Sequence, residues 1–226
     1  MVKTKKSTST DPKMRVLSLT DNRNSILILG NSFVSTSKVG SILQQMCGNR
    51  LRVEAQSRGY ARITTYVQDQ NVMERIRSGE FSAVILCGLY DLESVTNLEH
   101  MINACAESDT ALALFPAHNE SSSLIGTAGM LHPSVLFLDW KAEINNLISS
   151  GIDKSYFCIA DSHKHSTPLA GYVGAHMIYR AIFGKIPTET SFGEVSKTEI
   201  ALLGDYPSTG SVVFTKEEST YSLKAN

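Results

Sequence analysis

The chain has 226 residues, of which 42% are hydrophobic and 19% charged, and its formal net charge at pH 7 is −1. This length and apolar content allow a substantial core, so wholesale disorder is excluded. The near-neutral net charge argues against a protein whose main function is to bind nucleic acid, because that function needs a basic surface. The sequence contains no apolar run of the roughly 18 residues that a membrane-spanning helix requires.

Residues 1–24 are polar, and residues 1–15 contain no apolar segment typical of a signal peptide. We therefore expect a flexible basic arm at the start of the chain. The four cysteines stand singly in apolar stretches, without the paired spacing of a zinc site: Cys47, Cys87, Cys105 and Cys158. They predict small buried side chains in a reducing compartment, so the expected location is cytoplasmic.

Short apolar runs predict five β-strands, at residues 26–29, 51–57, 81–87, 111–115 and 135–138. In the second run, Leu51, Val53 and Ala55 should point to one face. Between the runs, apolar residues recur at helical spacing near residues 39–46, 98–105 and 144–148, and a last helix should span about 168–183. Strands that alternate with helices predict a five-stranded parallel sheet covered on both faces, an α/β fold.

This pattern predicts one domain over residues 25–187 and a C-terminal extension over residues 188–226. The extension contains only weak apolar clusters, such as residues 200–203. A lid, a dimer contact and simple packing on the domain are all consistent with that cluster, and the oligomeric state is left open.

The turn after the first strand is a candidate site, because ligands of open α/β sheets bind beyond the carboxyl ends of the strands. Gly30 permits a sharp turn, and Ser32 falls near a helix start. A free backbone N–H there favours developing negative charge, which suits a nucleophilic serine. The alternative is that Ser32 or Ser35 only caps the helix.

A second candidate lies in the polar loop before the last helix, where Asp161, His163 and His165 stand close together. A serine nucleophile needs a base, usually imidazole, and the imidazole needs a carboxylate that sets its tautomer. A zinc site formed by the same three side chains is the less favoured alternative, because no further ligand cluster accompanies them.

Both segments resemble a known group of enzymes. Residues 26–32 (ILILGNS) and 161–165 (DSHKH), the latter followed by STPLAGY, resemble the first and last sequence blocks of the SGNH (GDSL-type) hydrolase superfamily. The resemblance runs in order over residues 25–187. It implies a three-layer α/β/α flavodoxin-like fold and hydrolysis of esters, often acetyl or acyl groups on sugars or lipids. It implies neither a metal nor an organic cofactor.

The resemblance also implies roles for individual residues. Ser32 would be the nucleophile, His165 the base and Asp161 the group that orients the imidazole. The N–H of Gly59, which matches the glycine of the second block, would join the N–H of Ser32 in an oxyanion hole. A plain turn at Gly59 is the alternative.

Two departures from the family pattern leave choices open. The third block ends in Asn-Asp after its glycine, but here residues 88–91 read GLYD, so Tyr90 stands where an oxyanion asparagine is expected. Asn119, after the fourth strand, could replace that donor. The spacing from Asp161 to His165 is four residues instead of three, so His163 is an alternative base.

Three other features near the same edge carry weaker hypotheses. Residues 118–120 (HNE) could contribute to the site or form a polar loop. Trp140 could line an acyl or sugar pocket, although core packing is favoured. Arg58 and Arg62 could contact an anionic substrate or be only solvated.

The leading functional prediction is a serine esterase that acts on a small acyl ester, such as acetyl on a carbohydrate, without nucleic-acid partners. A catalytically silent ligand-binding module on the same scaffold is the alternative, motivated by Tyr90 and the shifted spacing. A nucleotide- or phosphate-binding protein that uses the turn at residues 31–35 is weakened by the absence of a Walker lysine or a GxGxxG run.

Overall fold

A parallel β-sheet organises the computed structural model, which describes residues 23–88, 95–117, 135–184, 187, 192–204 and 206. Its strands in this part of the chain are β1 (Ser25–Gly30), β2 (Arg52–Ser57), β3 (Ala83–Cys87), β4 (Ala111–Phe115) and β5 (Val135–Phe137). Their order is β2-β1-β3-β4-β5, and every neighbouring pair is parallel. The predicted α/β class with a five-stranded parallel sheet is confirmed.

Helices of the described residues follow the strands. They are α1 (Ser32–Ser37), α2 (Val39–Cys47), α3 (Ile63–Val67), α4 (Gln70–Arg77), α5 (Val95–Glu107), α6 (Trp140–Ser149), α7 (Pro168–Phe183) and α8 (Lys197–Leu202). Short 3₁₀ turns cover Gly48–Arg50 and Lys154–Tyr156. The helix expected at about 168–183 is confirmed. Pro168 opens it because the missing N–H of proline costs nothing in a first helical turn.

The central strand β1 shows why the fold has three layers. All six of its residues are buried, and successive side chains point to opposite faces of the sheet. Ile26 and Ile28 pack with α1, α2, α6 and α7 on one face. Leu27 and Leu29 pack with α3, α4 and α5 on the other. Fully burying each such side chain stabilises the fold by about 1.5–3 kcal/mol, so this strand anchors both cores.

The sheet edges differ from the centre and explain where the strand predictions were inexact. In β2, Leu51 and Val53 belong to the core on the α2 side and Ala55 faces Gly40 of α2, so the three side chains share one face as predicted. Ala55 is nevertheless exposed, whereas Leu51 just before the strand is buried. The last strand stops at Phe137, and Leu138 is buried beyond it. An edge strand has a neighbour on one side only, so its burial pattern follows whatever covers it locally.

The C-terminal part of the described chain packs on the domain. Phe192, Val195, Leu203 and Tyr206 are each at most 5% exposed and belong to the core on the α7 side. Helix α8 begins with a capping box, in which Ser196 and Glu199 satisfy each other's backbone N–H groups. Almost all of the N-terminal arm predicted for residues 1–24 lies outside the described residues.

Several smaller predictions concern burial. All four cysteines are buried, as expected. Trp140 is core rather than pocket lining: it is fully buried, stacks on Phe115 at 4.7 Å and donates a hydrogen bond from Nε1 to the carbonyl of Ala170. Within the described residues, every helix is too short or too polar to cross a bilayer.

Candidate active site

Parallel pairing brings the carboxyl ends of the central strands to one edge. Gly30 at the end of β1 is in register with Ser57 of β2 and Cys87 of β3. A Cβ atom at Gly30 would lie 2.3 Å from a methyl carbon of Val34 and 2.5 Å from the carbonyl oxygen of Cys87. Only glycine therefore lets the chain turn directly from β1 into α1 at this point.

Asn31 holds the turn that follows. Its side chain is 1% exposed, donates to the carbonyl of Gly88 and accepts the N–H of Phe33 at 3.1 Å. Asn31 is thus the N-cap of α1, and Ser32 is the first helical residue. The capping alternative for Ser32 is wrong, because Asn31 already makes the cap. The Ser32 hydroxyl remains available for another partner.

The loop before α7 presents the imidazole. It is closed by a hydrogen bond from the N–H of Ile159 to the carbonyl of His165, 2.7 Å long, beside a bridge between Cys158 and Ser166. Thr167 then caps α7 through its side chain. This short antiparallel closure fixes where the loop re-enters the fold and therefore where His165 points.

His165 joins the two segments across 133 residues of chain. Its Nε2 lies 2.8 Å from the Oγ of Ser32, and its Nδ1 lies 2.5 Å from Oδ2 of Asp161. A carboxylate can only accept, so Nδ1 carries the proton and Nε2 is left to accept from the serine hydroxyl. The imidazole is 16% exposed, whereas the carboxylate is 35% exposed. The geometry is that of a hydrogen-bonded serine, histidine and aspartate set.

Asp161 also organises the loop. Its Oδ1 accepts the backbone N–H groups of His163 and His165, each at 3.1 Å. The hydrogen bond with the His165 side chain is the main cause that lowers the pKa of Asp161 to about 2. Between the two histidines, Lys164 takes a left-handed conformation with φ of 54°. The longer spacing therefore still brings carboxylate and imidazole together.

His163 lies beside this set rather than in it. Its side chain is exposed, and its ring centroid is 5.5 Å from that of His165. Of the two histidines that the sequence left open, His165 is the one whose ring reaches Ser32. Phe33 completes the surroundings, with its ring 5.2 Å from the imidazole of His165.

The turn after β2 lies at the same edge. The N–H of Arg58 donates to the carbonyl of Gly30 at 3.1 Å, and the hydroxyl of Ser57 donates to the carbonyl of Asn31 at 2.6 Å. Gly59 follows directly, and a methyl group added there would meet no atom within 4 Å. Within the described part of the chain, the N–H groups of Gly59 and Ser32 take part in none of the hydrogen bonds.

The sequence analysis did not identify Tyr66, whose hydroxyl contacts the backbone at the ends of β1 and β2. It is fully buried in α3, and its hydroxyl donates to the carbonyl of Gly30 at 2.5 Å and lies 3.1 Å from that of Gln56. It thereby ties the ends of β1 and β2 together. Its helix is only five residues long, and such helices depend on tertiary packing rather than on a clear pattern in the sequence.

Other candidates have different outcomes. Arg58 forms an ion pair with Asp69 and lies over the ring of Tyr66, so its charge is already partnered. Arg62 starts α3 as its N-cap residue. Tyr90, Asn119 and the rest of residues 118–120 lie outside the described residues. Over the described part of the chain, Asp, Glu, His and Cys side chains form no group of three suited to holding a metal ion.

The chain matches neither a protein-family model nor the sequence of a curated protein.

Proposed function

We propose that the protein is a serine esterase of the SGNH type that hydrolyses a small acyl ester, with acetyl as the favoured acyl group and a carbohydrate as the favoured alcohol. The observation that carries the proposal is the unbroken chain of hydrogen bonds from Asp161 through His165 to the Oγ of Ser32. The flavodoxin-like strand order and the sequence blocks at both ends of the domain support the family assignment.

In the first half-reaction, the Oγ of Ser32 attacks the ester carbonyl while Nε2 of His165 takes its proton. Asp161 keeps Nδ1 protonated and stabilises the imidazolium that forms. Because the pKa of Asp161 is lowered to about 2, this carboxylate is ionised throughout the neutral pH range. The imidazolium then donates the proton to the leaving alcohol oxygen.

The tetrahedral intermediate carries negative charge on the former carbonyl oxygen. The N–H of Ser32 lies in the first turn of α1, where backbone donors have no partner within the helix. We assign this N–H and that of Gly59 as donors to the oxyanion. Tyr90 or Asn119 would supply a third donor. Each such donor is worth about 10²–10³ in turnover.

In the second half-reaction, water attacks the acyl group on Ser32, again with His165 as the base. The bond between the acyl carbon and Oγ breaks, and the proton returns to the serine. The products are the carboxylic acid and the free enzyme. The side chains of this set therefore suffice for the complete cycle, and the proposal involves no cofactor.

Release of p-nitrophenol from its acetate ester tests the proposal. We expect turnover above the buffer rate for the wild type, and we expect Ser32→Ala to lower it by at least about 10³-fold. Ser35→Ala is the matched control, because this hydroxyl is exposed and, among the described residues, donates to the carbonyl of Ser32 and not to the imidazole. Equal activity in Ser32→Ala and wild type would remove Ser32 as nucleophile. A folded wild type without activity on any ester tested would favour the silent binding module instead.

A further inference from the structure

The turn that carries Gly59 has an unusual residue at its next position. The N–H of Ala61 donates to the carbonyl of Arg58 at 3.0 Å, which closes a four-residue turn. Tyr60 has a φ of 58°, whereas Gly59 has no positive φ, and a positive φ at the third position alone is the pattern of a type II turn. The third position of such a turn is normally glycine, because a side chain there is strained. Tyrosine at this position therefore costs stability.

The side chain of Tyr60, which stands on this strained backbone, does not fill the core. Tyr60 is 80% exposed, the most exposed large hydrophobic side chain among the described residues. Its ring meets that of His163 edge-on, with centroids 5.9 Å apart. The rings continue through His165 to Phe33, at 5.5 Å and 5.2 Å. A row of rings thus runs from the exposed rim to the imidazole that faces Ser32.

The direction of proton transfer in the proposed reaction indicates that this row of rings faces the alcohol part of the substrate. His165 gives its proton to the leaving oxygen, so the alcohol part of the ester must lie against the imidazole. The acyl part is attached to Ser32 and points away from the proton donor. Tyr60 and His163 lie beyond His165 on the outer side, where an alcohol group larger than the reacting oxygen would extend.

We propose that Tyr60 and His163 form a binding platform for a ring in the alcohol part of the substrate, one that presents a flat face to stack on the tyrosine. This inference rests on the proposed esterase function, because it uses His165 as the proton donor to the alcohol. Aromatic rings stack on one another, and the C–H face of a sugar ring packs on an aromatic face in the same way. An unbranched alkyl chain gains less from such a surface. Backbone strain such as that at Tyr60, at an exposed position close to the reacting groups, is typical of functional sites.

Acetate esters of primary alcohols with and without a ring test the platform. The probes are benzyl acetate, methyl 6-O-acetyl-glucopyranoside and n-butyl acetate, and the variants are Tyr60→Gly and Tyr60→Phe. We expect Tyr60→Gly to raise the KM for a ring ester relative to that for n-butyl acetate by about fivefold, with kcat ratios unchanged. Tyr60→Phe keeps the ring and should restore the wild-type ratio. The response of the two ring esters distinguishes an aryl from a sugar ring.

The stability of Tyr60→Gly shows whether Tyr60 serves substrate binding or stabilises the fold. Glycine suits the third position of a type II turn, so Tyr60→Gly should unfold at the same or a higher urea concentration than the wild type. A lower midpoint would mean that the tyrosine stabilises the fold. An unchanged KM ratio in an active, folded Tyr60→Gly protein would overturn the platform and leave the esterase proposal intact.

A binding measurement keeps the inference testable if the wild type hydrolyses none of the esters. In the Ser32→Ala protein, saturation-transfer NMR should detect contact with the ring protons of benzyl acetate or of the glycoside. The signal should be lost when Tyr60→Gly is added. That result without hydrolysis would support a binding platform and remove the esterase. No signal, or a signal independent of Tyr60, would overturn the platform.

Discussion

At the scale of single residues, the site depends on which histidine is placed against Ser32. His165 is held from both sides, by Asp161 at Nδ1 and by Ser32 at Nε2, whereas His163 lies outside this pair of bonds. We expect His165→Ala to lower kcat/KM on p-nitrophenyl acetate by at least about 10³-fold. His163→Ala should lower it by less than about tenfold.

His100→Ala provides the matched control for these two variants, because this histidine is exposed on α5. It should have wild-type kinetics. A larger loss for His163→Ala than for His165→Ala would show that the loop rearranges and that His163 is the base.

Asp161→Asn tests the carboxylate. An amide at this position can donate to Nδ1 and so favour the tautomer in which Nε2 carries the proton and cannot act as a base. We expect a loss of about 10²–10⁴ in kcat with the fold preserved, measured on the same ester. A loss of less than threefold in kcat would mean that orientation by Asp161 contributes little.

The N–H of Gly59 can be deleted without changing the turn. Proline is common at the second position of a type II turn, and the N–H of Gly59 makes no hydrogen bond within the described residues. Gly59→Pro should therefore fold normally and lose about 10²–10³ in kcat if this N–H binds the oxyanion.

Gly59→Ala is its partner variant, since it keeps the N–H and adds a methyl group into open space. Its loss should be at least tenfold smaller than that of Gly59→Pro. Equal losses in the two variants would indicate a steric effect on substrate and remove Gly59 from the oxyanion hole.

At the scale of elements, α7 carries the loop of His165 against the helix that begins with Ser32. Gly171 makes their contact possible: a Cβ atom there would lie 1.8 Å from the carbonyl oxygen of Ser37 at the end of α1. The clash is with backbone, so it cannot be relieved by a side-chain rotation. We expect Gly171→Ala to lower the free energy of unfolding by about 3 kcal/mol and to impair activity, measured by urea denaturation and ester hydrolysis.

Gly193→Ala is the control for this contact, because its added methyl group meets no atom within 4 Å. It should change the free energy of unfolding by less than about 0.5 kcal/mol. Equal stability of the two variants would show that α1 and α7 are not in tight contact at Gly171.

How far the sequence could predict these elements depends on how they are stabilised. The central strands carry continuous apolar runs because both of their faces are buried, and α7 is marked by Pro168 and a long apolar segment. Helices α3 and α4 were not predicted, since each is short and is formed largely through packing of residues such as Tyr66 and Ile76.

The candidate site likewise combines features that the sequence predicts with features that depend on tertiary structure. Ser32, Asp161 and His165 were identified from residue types and their order, and the structure brings their side chains together. The choice between His163 and His165 could not be made from spacing. It depends on the backbone hydrogen bonds to Asp161 and on the left-handed Lys164, which are set by the closed loop as a whole.

At the scale of the whole molecule, a buried histidine should control acid stability. His176 is fully buried in α7, and neither ring nitrogen has a hydrogen-bond partner among the described residues. Burial, assisted by the charge of Arg180, lowers its pKa from 6.5 to about 4. The unfolded chain therefore binds the extra proton first, so the stability contribution is complete above pH 6.5 and is lost as the pH falls toward 4.

His176→Leu should remove this part of the pH dependence. We expect the wild type to lose about 2 kcal/mol more stability than the variant between pH 7 and pH 4.5, measured by urea denaturation at each pH. Glu143 is nearby in the same core and has a pKa raised by burial, which acts in the opposite sense but is present in both proteins. Parallel pH profiles for the two proteins would contradict the assignment.

The central claim is that Ser32 is a nucleophile activated by His165. Mass spectrometry after reaction with a fluorophosphonate tests it most directly, because the probe forms a covalent bond only with an activated serine and the modified peptide identifies the residue. We expect one phosphonyl group on Ser32 in the wild type and none in His165→Ala. An unmodified wild-type protein, or a modification on another serine, would contradict the account.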